Sequence, residues 1–296
     1  MSTTRQKGMA VIGALVVVAA ASVATAAIME RQSLMADTLA GERDRVQAKW
    51  LLRGGLDWAR VILVSDARNN AVTLRDAIWA QPIAGLEIRT PDGNRSALFS
   101  GLIEDEQGKY NLQRLSVNGA VQGTELAALQ NLLARLGIPS RLAAPIATRV
   151  AASQASPQGA ATAPALRSAH DLLGIDGMDL QTVAILSDYV TVLPRHTGIN
   201  VNTASAEVLS AVIPALSLDR ARSLTDERTR GQWFNSRGDF VNRLGDAEMV
   251  AGITLDVRSN WFKVSGEVVL EHARVGMRAL LHRSGDAVPV VRWIES

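Results

Sequence analysis

A stretch of twenty residues without a charged side chain constrains this chain more than any other feature of its sequence. It runs from Met9 to Ile28 as MAVIGALVVVAAASVATAAI. As an α-helix it would be about 30 Å long, which matches the hydrocarbon thickness of a bilayer. Arg5 and Lys7 precede it, whereas acidic residues outnumber basic ones just after it. Because positive charge stays on the cytoplasmic side, the sequence predicts one membrane-spanning helix with a cytoplasmic start and an exported remainder.

Two processing sites compete around this segment. Ala24-Thr25-Ala26 fits the small-residue pattern of signal peptidase, whose cleavage would release a soluble protein. Residues 5–10, RQKGMA, form a short basic leader with a glycine and resemble a prepilin peptidase site. Cleavage after Gly8 would make Met9 the first residue and would keep the apolar segment on the mature protein. We favour this second interpretation because a helical pattern continues beyond the segment.

Apolar residues recur near the helical period after the membrane segment, with polar residues between them. The sequence therefore predicts that the helix continues over residues 29–68 as an amphipathic helix, compatible with packing of its apolar face on a sheet. The residues on this apolar stripe are Leu39, Val46, Trp50, Trp58 and Ile62.

Composition excludes several classes of protein. Hydrophobic residues make up 47% of the 296 residues and charged residues 20%, so the chain is neither a disordered acidic tail nor a basic nucleic-acid arm. The absence of cysteine excludes disulfides, thiolate zinc sites, iron–sulfur clusters and cysteine nucleophiles. The four histidines lack paired ligand spacing. An acidic cluster, Glu104-Asp105-Glu106, has no catalytic partner motif nearby, so we predict a solvated strand end and no enzymatic activity.

Local signals divide the rest of the chain into strands, helices and strands again. Three strands are predicted between Ile83 and Gln113, with a turn at Pro91–Asn94, and a helix from its cap Thr124 to Gly137. Residues 151–165 lack large apolar side chains, which predicts a flexible surface loop. The remaining predicted elements are helices over 168–173, 179–190 (capped by Asp179), 205–213 and 218–229, and antiparallel strands after Leu255.

This order of elements predicts an α+β fold. A long N-terminal helix packs on an antiparallel sheet, and a large all-α block is inserted between the two groups of strands. The predicted segments are a leader (1–8), the transmembrane part of the helix (9–28), its exposed part (29–68), the first part of the β domain (69–118), the inserted α-helical domain (119–250) and the closing strands (251–296).

Several segments carry a resemblance to a known family. They are QKGMAVIGALVVV at 6–18, DEQGKYNLQRL at 105–115, LRSAHDLLGIDGM at 166–178 and DYVTVLPRHTGINVNTASAEVL at 188–209. In this order they make the chain resemble the K class of minor pseudopilins of the type II secretion system, whose fold is pilin-like. The resemblance implies a subunit of the pseudopilus tip, in a complex with the I and J minor pseudopilins, that initiates or caps assembly for export of folded proteins across the outer membrane.

The same resemblance implies further partners and a location. The partners are prepilin peptidase, the major pseudopilin and the inner-membrane assembly platform. Prepilin peptidase would cleave after Gly8 and N-methylate Met9. The protein would be a single-pass protein of the inner membrane, with a cytoplasmic N-terminus and a periplasmic C-terminal domain.

Gly13 is the residue that points most directly to the tip. After cleavage it is fifth in the mature chain, where most pilins carry a glutamate. A carboxylate in apolar surroundings is costly unless a cation meets it, and in pilin filaments that cation is the amino terminus of the subunit assembled earlier. A subunit without the acid needs no earlier neighbour.

K-class proteins commonly carry an Asp-rich stretch, associated with calcium, after the first inserted helix. Here residues 146–159 read IATRVAASQASPQG and contain no acidic residue. Calcium takes about six to eight oxygen ligands, usually including several carboxylates. We therefore predict no resident cofactor. The remaining candidates for a calcium site are Asp171, Asp176 and Asp179, for which caps and turns are the simpler explanation.

Residues 199–245 also resemble a helix-hairpin-helix module, whose DNA-binding form offers backbone amides to a phosphate through a Gly-Ile-Gly type hairpin. Here the hairpin reads Ile213-Pro214-Ala215-Leu216-Ser217, which lacks glycine and loses one amide at the proline. Six arginines oppose five acidic residues between 196 and 245, a small excess for a DNA-binding surface. A membrane-anchored periplasmic DNA-binding protein is thus the alternative, and we expect no nucleic-acid partner.

Overall fold

The computed structural model describes residues 4–89, 96–157, 159–194 and 196–296. The longest element in these ranges is the first helix. Helix α1 runs without a break from Thr4 to Asn69. Leucine, alanine and arginine, which are strong helix formers, are frequent in its outer half. The predicted continuation of the membrane segment as one helix is therefore confirmed. Residues 1–3 of the predicted leader and the predicted turn at Pro91–Asn94 lie outside the described residues.

Shorter elements follow α1 in the order strands, helices, strands. The helices are α2 (Gly123–Arg135), α3 (Ala143–Ala152), α4 (Leu180–Ser187), α5 (Ala206–Val212), α6 (Leu218–Thr229) and α7 (Arg237–Leu244). The strands are β1 (Ile83–Arg89), β2 (Ser96–Asp105), β3 (Tyr110–Asn111), β4 (Ser116–Val117), β5 (Ala120–Val121), β6 (Val190–Thr191), β7 (Ile199–Asn200), β8 (Leu255–Asp256), β9 (Trp261–Val269), β10 (Arg274–His282) and β11 (Val290–Glu295).

The main sheet of the described residues has the strand order β1-β2-β9-β10-β11. Strands from before and after the helical block therefore lie in one sheet, which confirms the predicted α+β fold with inserted helices. Strands β10 and β11 pair antiparallel, with an irregularity between Leu280 and Leu281. The alternating apolar pattern predicted these long strands well, because a half-buried strand repeats every two residues.

The chain divides into two compact units. The first contains the described residues of Met1–Gly54, Gly85–Ser100 and Glu267–Gly276. Within it, Ala48 and Leu52 of α1 are buried, as are Ala97 and Val268 of the strands. Asp44 is fully buried as well, and its carboxylate accepts a hydrogen bond from the backbone N–H of His272 at 3.3 Å.

The prediction that this apolar stripe of α1 packs on the sheet is wrong for most of its residues. Leu39, Val46, Trp50 and Trp58 are exposed. The buried face of α1 consists instead of another set of residues at steps of three and four, as a helix packed along one side requires. That set is Ala48, Leu52, Leu56, Ala59 and Leu63.

The second unit contains Gly55–Ala84, Gly101–Gly266 and Met277–Ser296, less the few undescribed residues. Its largest apolar cluster is built chiefly by the inserted helices, so the helical block has its own core. Phe234 and Phe240 meet edge to face, with ring centroids 5.0 Å apart. Other fully buried members are Leu129, Leu132, Leu133, Ile146, Val150, Leu209 and Leu224.

Side-chain caps define several of these helices. The predicted cap Asp179 is confirmed, since its carboxylate accepts from the backbone N–H of Thr182 at 2.7 Å. Ser217 caps α6 in the same way, since its hydroxyl accepts from the backbone N–H of Arg220. The predicted cap Thr124 is wrong: α2 begins one residue earlier and has Gln122 at its cap, with no side-chain hydrogen bond. Gly137 follows α2 with a φ of 70°, a conformation that glycine adopts without strain.

The third strand predicted before the helices is shorter than expected and lies outside the main sheet. Strand β3 has two residues and pairs in parallel with β6. The side-chain oxygen of Asn111 accepts from the backbone N–H groups of Gln113 and Leu193, both at 3.1 Å. This turns the chain into a 3-10 helix over Leu112–Leu115.

Residues 151–165 combine the end of α3 with irregular chain. Ala152 still belongs to α3, and its carbonyl accepts from the backbone N–H groups of Thr162 and Ala163, both at 2.9 Å. The guanidinium of Arg149 donates to the carbonyl of Pro164 at 2.9 Å. These hydrogen bonds close the loop, whereas its flexibility stays a prediction.

Candidate functional site

The predicted processing and register positions lie together near the start of α1. Gly8 and Met9 belong to its first turns, and their side-chain environment lies outside what the structure describes. A Cβ atom built at Gly13 would meet, among the described residues, no atom within 4 Å beyond its chain neighbours and the adjoining backbone of its own helix. The large apolar residues that follow, from Val11 to Met29, are all exposed. The chain itself therefore imposes no need for glycine at position 13, and it leaves this helical surface uncovered.

The exposed apolar surface continues on the outer part of α1. Leu39, Val46 and Trp50 lie on one side of the helix, because their spacing of seven and four residues returns to the same face. Trp50 is 73% exposed. We call these three residues the α1 outer stripe. A tryptophan at this exposure is typical of a protein interface, where aromatic side chains contribute much of the binding energy.

The acidic cluster predicted as a solvated strand end is mostly buried. Asp105 and Glu106 are buried, and Glu104 is partly so. Burial alone would raise the pKa of Glu104, but Lys109 and Lys263 outweigh it and lower that pKa below its usual value. Burial alone would lower the pKa of Lys109, but Glu106 and Glu104 raise it. Glu104 and Glu106 thus form ion pairs with Lys109 and Lys263, and the predicted solvation of the cluster is wrong.

Asp105 is the centre of a buried polar junction. Its carboxylate accepts from the hydroxyl groups of Ser259 and Thr203, both at 2.6 Å. It also accepts from the side-chain amide of Asn200 at 3.1 Å and from the backbone N–H of Gln107 at 2.8 Å. Burial raises the pKa of Asp105, and the hydrogen bonds counteract this only in part. The donors come from three separate parts of the chain, so Asp105 joins strand β2 to the helical block and to the closing strands.

A second buried junction surrounds Arg283, just after β10. Its guanidinium donates to the Leu63 carbonyl and to Asp66, both at 3.0 Å, at the end of α1. It also donates to the Thr73 hydroxyl at 3.0 Å and to the Ser259 carbonyl at 2.8 Å. The guanidinium therefore holds the end of α1, the following loop and the closing strands together.

The segment 199–205, which the resemblance singled out, supplies further ties within the helical block. The side chain of Asn202 donates to the carbonyl of Phe234 at 2.8 Å and accepts from its backbone N–H at 2.9 Å. The buried guanidinium of Arg228 donates to the carbonyls of Val201 and Ala204. These polar residues hold loops in place. The sequence pattern drew attention to the segment but did not predict this role.

The candidate calcium residues do not come together as a cation site. The carboxylate of Asp171 accepts from the backbone N–H groups of Arg167 and Ser168, and Asp179 caps α4. Among the described residues, no three acidic or histidine side chains are grouped closely enough to hold a metal ion. The residues present therefore do not fit the calcium site associated with the resemblance.

The hairpin of the helix-hairpin-helix alternative lies between α5 and α6. One of its backbone amides is already used, since the N–H of Leu216 donates to the Ile213 carbonyl at 3.0 Å. Just after the hairpin, the N–H of Arg220 in α6 donates to the Ser217 hydroxyl at 3.2 Å. Pro214 has no amide hydrogen. The hairpin is therefore poorly equipped to bind a phosphate.

Comparisons with known proteins give a consistent result. Two family models described as "Type II secretion system (T2SS), protein K" match residues 199–263 and 108–195, together more than half of the chain. The type II secretion system protein K of Pseudomonas aeruginosa is 28% identical, over 95% of this chain and 90% of its own length. That of Pectobacterium carotovorum is also 28% identical, over 98% and 96%.

A solved structure is similar to this fold. It is a chain in the crystal structure of the GspK-GspI-GspJ complex of the type 2 secretion system of enterotoxigenic Escherichia coli. The TM-score is 0.66 at 19% sequence identity, and the match covers 86% of this chain and 97% of that chain. At this identity the match supports the fold alone.

Proposed function

This chain belongs to the type II secretion system protein K family, and from that membership we propose that it is the minor pseudopilin that starts or caps the pseudopilus. Proteins of this family are components of a secretion machine. The chain would act by packing against other subunits, and no catalytic step is assigned to it.

The observation that carries the proposal is the uncovered apolar surface of α1. The helix is long and apolar enough to cross a bilayer, and none of its most apolar stretch is buried within the chain. Leaving one large apolar side chain in water forfeits roughly 1.5–3 kcal/mol relative to burying it. Residues such as Val11, Ile12 and Leu15 therefore need an apolar environment. A bilayer before assembly and neighbouring subunit helices after assembly would both supply it.

The proposed arrangement is a single-pass inner-membrane protein with a periplasmic C-terminal domain. Arg5 and Lys7 would stay in the cytoplasm until prepilin peptidase cleaves after Gly8 and N-methylates Met9. The I and J minor pseudopilins would be its direct partners at the tip, by analogy with the GspK-GspI-GspJ complex that contains the similar chain. The α1 outer stripe is the surface that we assign to these partners. The major pseudopilin and the assembly platform would lie below the tip.

The function is tested by deletion and complementation. A strain without this gene is expected to retain folded type II substrates in the periplasm while general secretion continues. The wild-type gene should restore export, and the mature protein should begin at N-methylated Met9. A normal release of substrates by the deletion strain would contradict the proposed function. A mature protein that begins at Met1 or at Ala27 would contradict the proposed processing.

Replacing Gly13 with glutamate is expected to let the subunit enter the filament below the tip. The carboxylate would pair with the amino terminus of the subunit assembled earlier, and a charge-assisted hydrogen bond contributes roughly 1.5–3 kcal/mol. Since about 1.4 kcal/mol corresponds to tenfold in an equilibrium, the copies of this subunit per major pseudopilin should rise by at least roughly that factor.

Quantitative mass spectrometry of sheared pseudopili measures this ratio. Gly13→Ala is the matched control, because it adds a side chain without a charge and should leave the ratio unchanged. The proposed role of the missing acid is wrong if Gly13→Glu and Gly13→Ala give the same ratio.

A further inference from the structure

A cavity of about 560 Å³ opens on the second unit. Its wall is formed by the segment after α1, the end of β2, the chain just after α4 and the start of α5, and it includes Arg75, Trp79, Tyr189 and Glu207. Pockets that bind small molecules or peptide side chains commonly have volumes of roughly 300–1,000 Å³. The cavity is therefore large enough for a ligand, and neither the fold nor the proposed assembly through α1 uses it.

One part of the wall contains Trp79 and Arg75. The Trp79 side chain is only 3% exposed and meets Phe262 edge to face, with ring centroids 5.2 Å apart. Its indole nitrogen Nε1 has no hydrogen-bond partner among the described residues. A buried polar group without a partner costs roughly 1–3 kcal/mol. Arg75 lies on the same wall and forms no ion pair within the described part of the chain.

Another part of the wall offers acceptors around an aromatic ring. Tyr189 is half-buried, with Asp188 and Glu207 beside it. Burial raises the pKa of Tyr189, Glu207 and Asp188 raise it further, and Arg75 opposes them. Those four groups are thus within electrostatic reach of one another. Among the described residues, Glu207 forms a long ion pair with Arg222, whose guanidinium nitrogen lies 3.8 Å from its carboxylate.

The other charged groups of the wall are already satisfied. Glu104 is paired with Lys109 and Lys263, and Asp105 is held by the hydroxyl groups described above. The groups left to meet a ligand are therefore the guanidinium of Arg75 and the carboxylates of Asp188 and Glu207. A simple anion would be repelled by the carboxylates, and a simple cation would leave Arg75 without a partner. A peptide segment with a basic side chain supplies both a carbonyl acceptor and a cationic donor.

We propose that this cavity binds a peptide segment of a partner protein through one basic side chain. The ammonium or guanidinium group would lie against the Tyr189 ring between Asp188 and Glu207, where a cation is attracted by both the ring face and the carboxylates. A main-chain carbonyl of the segment would accept from the guanidinium of Arg75. Binding of the peptide stands apart from the proposed function, and only the assignment of the partner to the secretion machine rests on it.

The first test uses wild-type protein, so it does not depend on the folding of a variant. The full chain in detergent is titrated by calorimetry with three blocked tripeptides, Ala-X-Ala, in which X is arginine, norleucine or glutamate. The arginine peptide is expected to bind at least about tenfold more tightly than the norleucine peptide, because only arginine can meet the two carboxylates. The glutamate peptide should bind more weakly than both. Equal affinities, or no binding of the arginine peptide, would overturn the proposal.

Variants then assign the contacts. The double variant Asp188→Asn and Glu207→Gln should reduce the affinity for the arginine peptide by about tenfold and leave the norleucine peptide unchanged. Asp286→Asn is the matched control, since Asp286 is exposed and lies outside the cavity wall. If the double variant binds the arginine peptide as tightly as the wild type does, the proposal is wrong, whatever the result of the export experiment.

Discussion

Replacing Arg283 with methionine is expected to lower the free energy of unfolding by about 3–5 kcal/mol, the usual cost of breaking a buried ion pair from one side. Arg283 is 3% exposed, so its removal leaves Asp66 as a buried carboxylate without its cation. It also deprives the Leu63 and Ser259 carbonyls and the Thr73 hydroxyl of their donor. Methionine keeps much of the volume, so the loss reports the polar contacts rather than a cavity.

Thermal unfolding of the full chain in detergent measures this loss. For a domain of about 150–250 residues, 1 kcal/mol shifts the midpoint by roughly 2–4 °C, so a decrease near 10 °C is expected. Arg274→Met is the matched control. The Arg274 side chain is 70% exposed and lies 3.7 Å from Glu267, a surface pair worth about 0–1 kcal/mol. Equal shifts in the two variants would show that Arg283 does not hold the junction.

Replacing Asp105 with alanine is expected to be the other large loss, about 2–4 kcal/mol. The substitution leaves four donors without an acceptor, and each unsatisfied buried donor costs roughly 1–3 kcal/mol, partly offset because the carboxylate no longer has to be desolvated. Those donors belong to Ser259, Thr203, Asn200 and Gln107. Urea unfolding of the full chain in detergent measures the difference. Asp219→Ala, on an exposed carboxylate, should stay within about 0.5 kcal/mol of the wild type.

The pH dependence of Asp105→Asn separates the charge from the hydrogen bonds. Because burial raises the pKa of Asp105 in the folded state, the folded protein keeps this proton longer than the unfolded chain. This difference in proton binding contributes to the stability of the folded state. The contribution is fully present below the unfolded pKa of about 3.9 and is lost as the pH rises through the higher folded pKa. Relative to the wild type, the asparagine variant should therefore gain stability as the pH rises above about 4, through the range in which the folded carboxyl group loses its proton. A constant difference over this range, or one of the opposite sign, would contradict the raised pKa.

The error over the α1 stripe shows the limit of periodicity. Trp50 and Leu39 recur at helical spacing, but so do Leu52 and Leu56 on another face of the same helix. Both stripes are apolar, and a pattern within one helix cannot tell which of them meets its own domain. Leu52 and Leu56 are buried within the fold, whereas Leu39 and Trp50 stay exposed on the surface that the proposed assembly would use.

The prediction that the acidic cluster is solvated was wrong for a different reason. Glu104, Asp105 and Glu106 are polar and adjacent in sequence, which ordinarily predicts an exposed position. Their partners lie far along the chain: Ser259 is 154 residues from Asp105, and Thr191 donates to Glu106 across 85 residues. The amino-acid composition around residues 104–106 does not indicate hydrogen bonds to residues so far away in the sequence. The segment around Asn200 and Thr203 was noticed in the sequence only as part of a resemblance.

Sequence signals that span only a few residues were sufficient to predict much of the architecture. The uncharged run from Met9 to Ile28 predicted the long helix, Asp179 predicted the start of α4, and the alternating pattern predicted the closing strands, because each signal depends on residues only a few positions apart. Which face of α1 is buried, and which charges are brought out of water around Asp105 and Arg283, was decided only by the tertiary structure. Those outcomes depend on contacts between distant parts of the chain, such as Arg283 and Leu63, which are 220 positions apart, and such contacts exist only when the whole chain has folded.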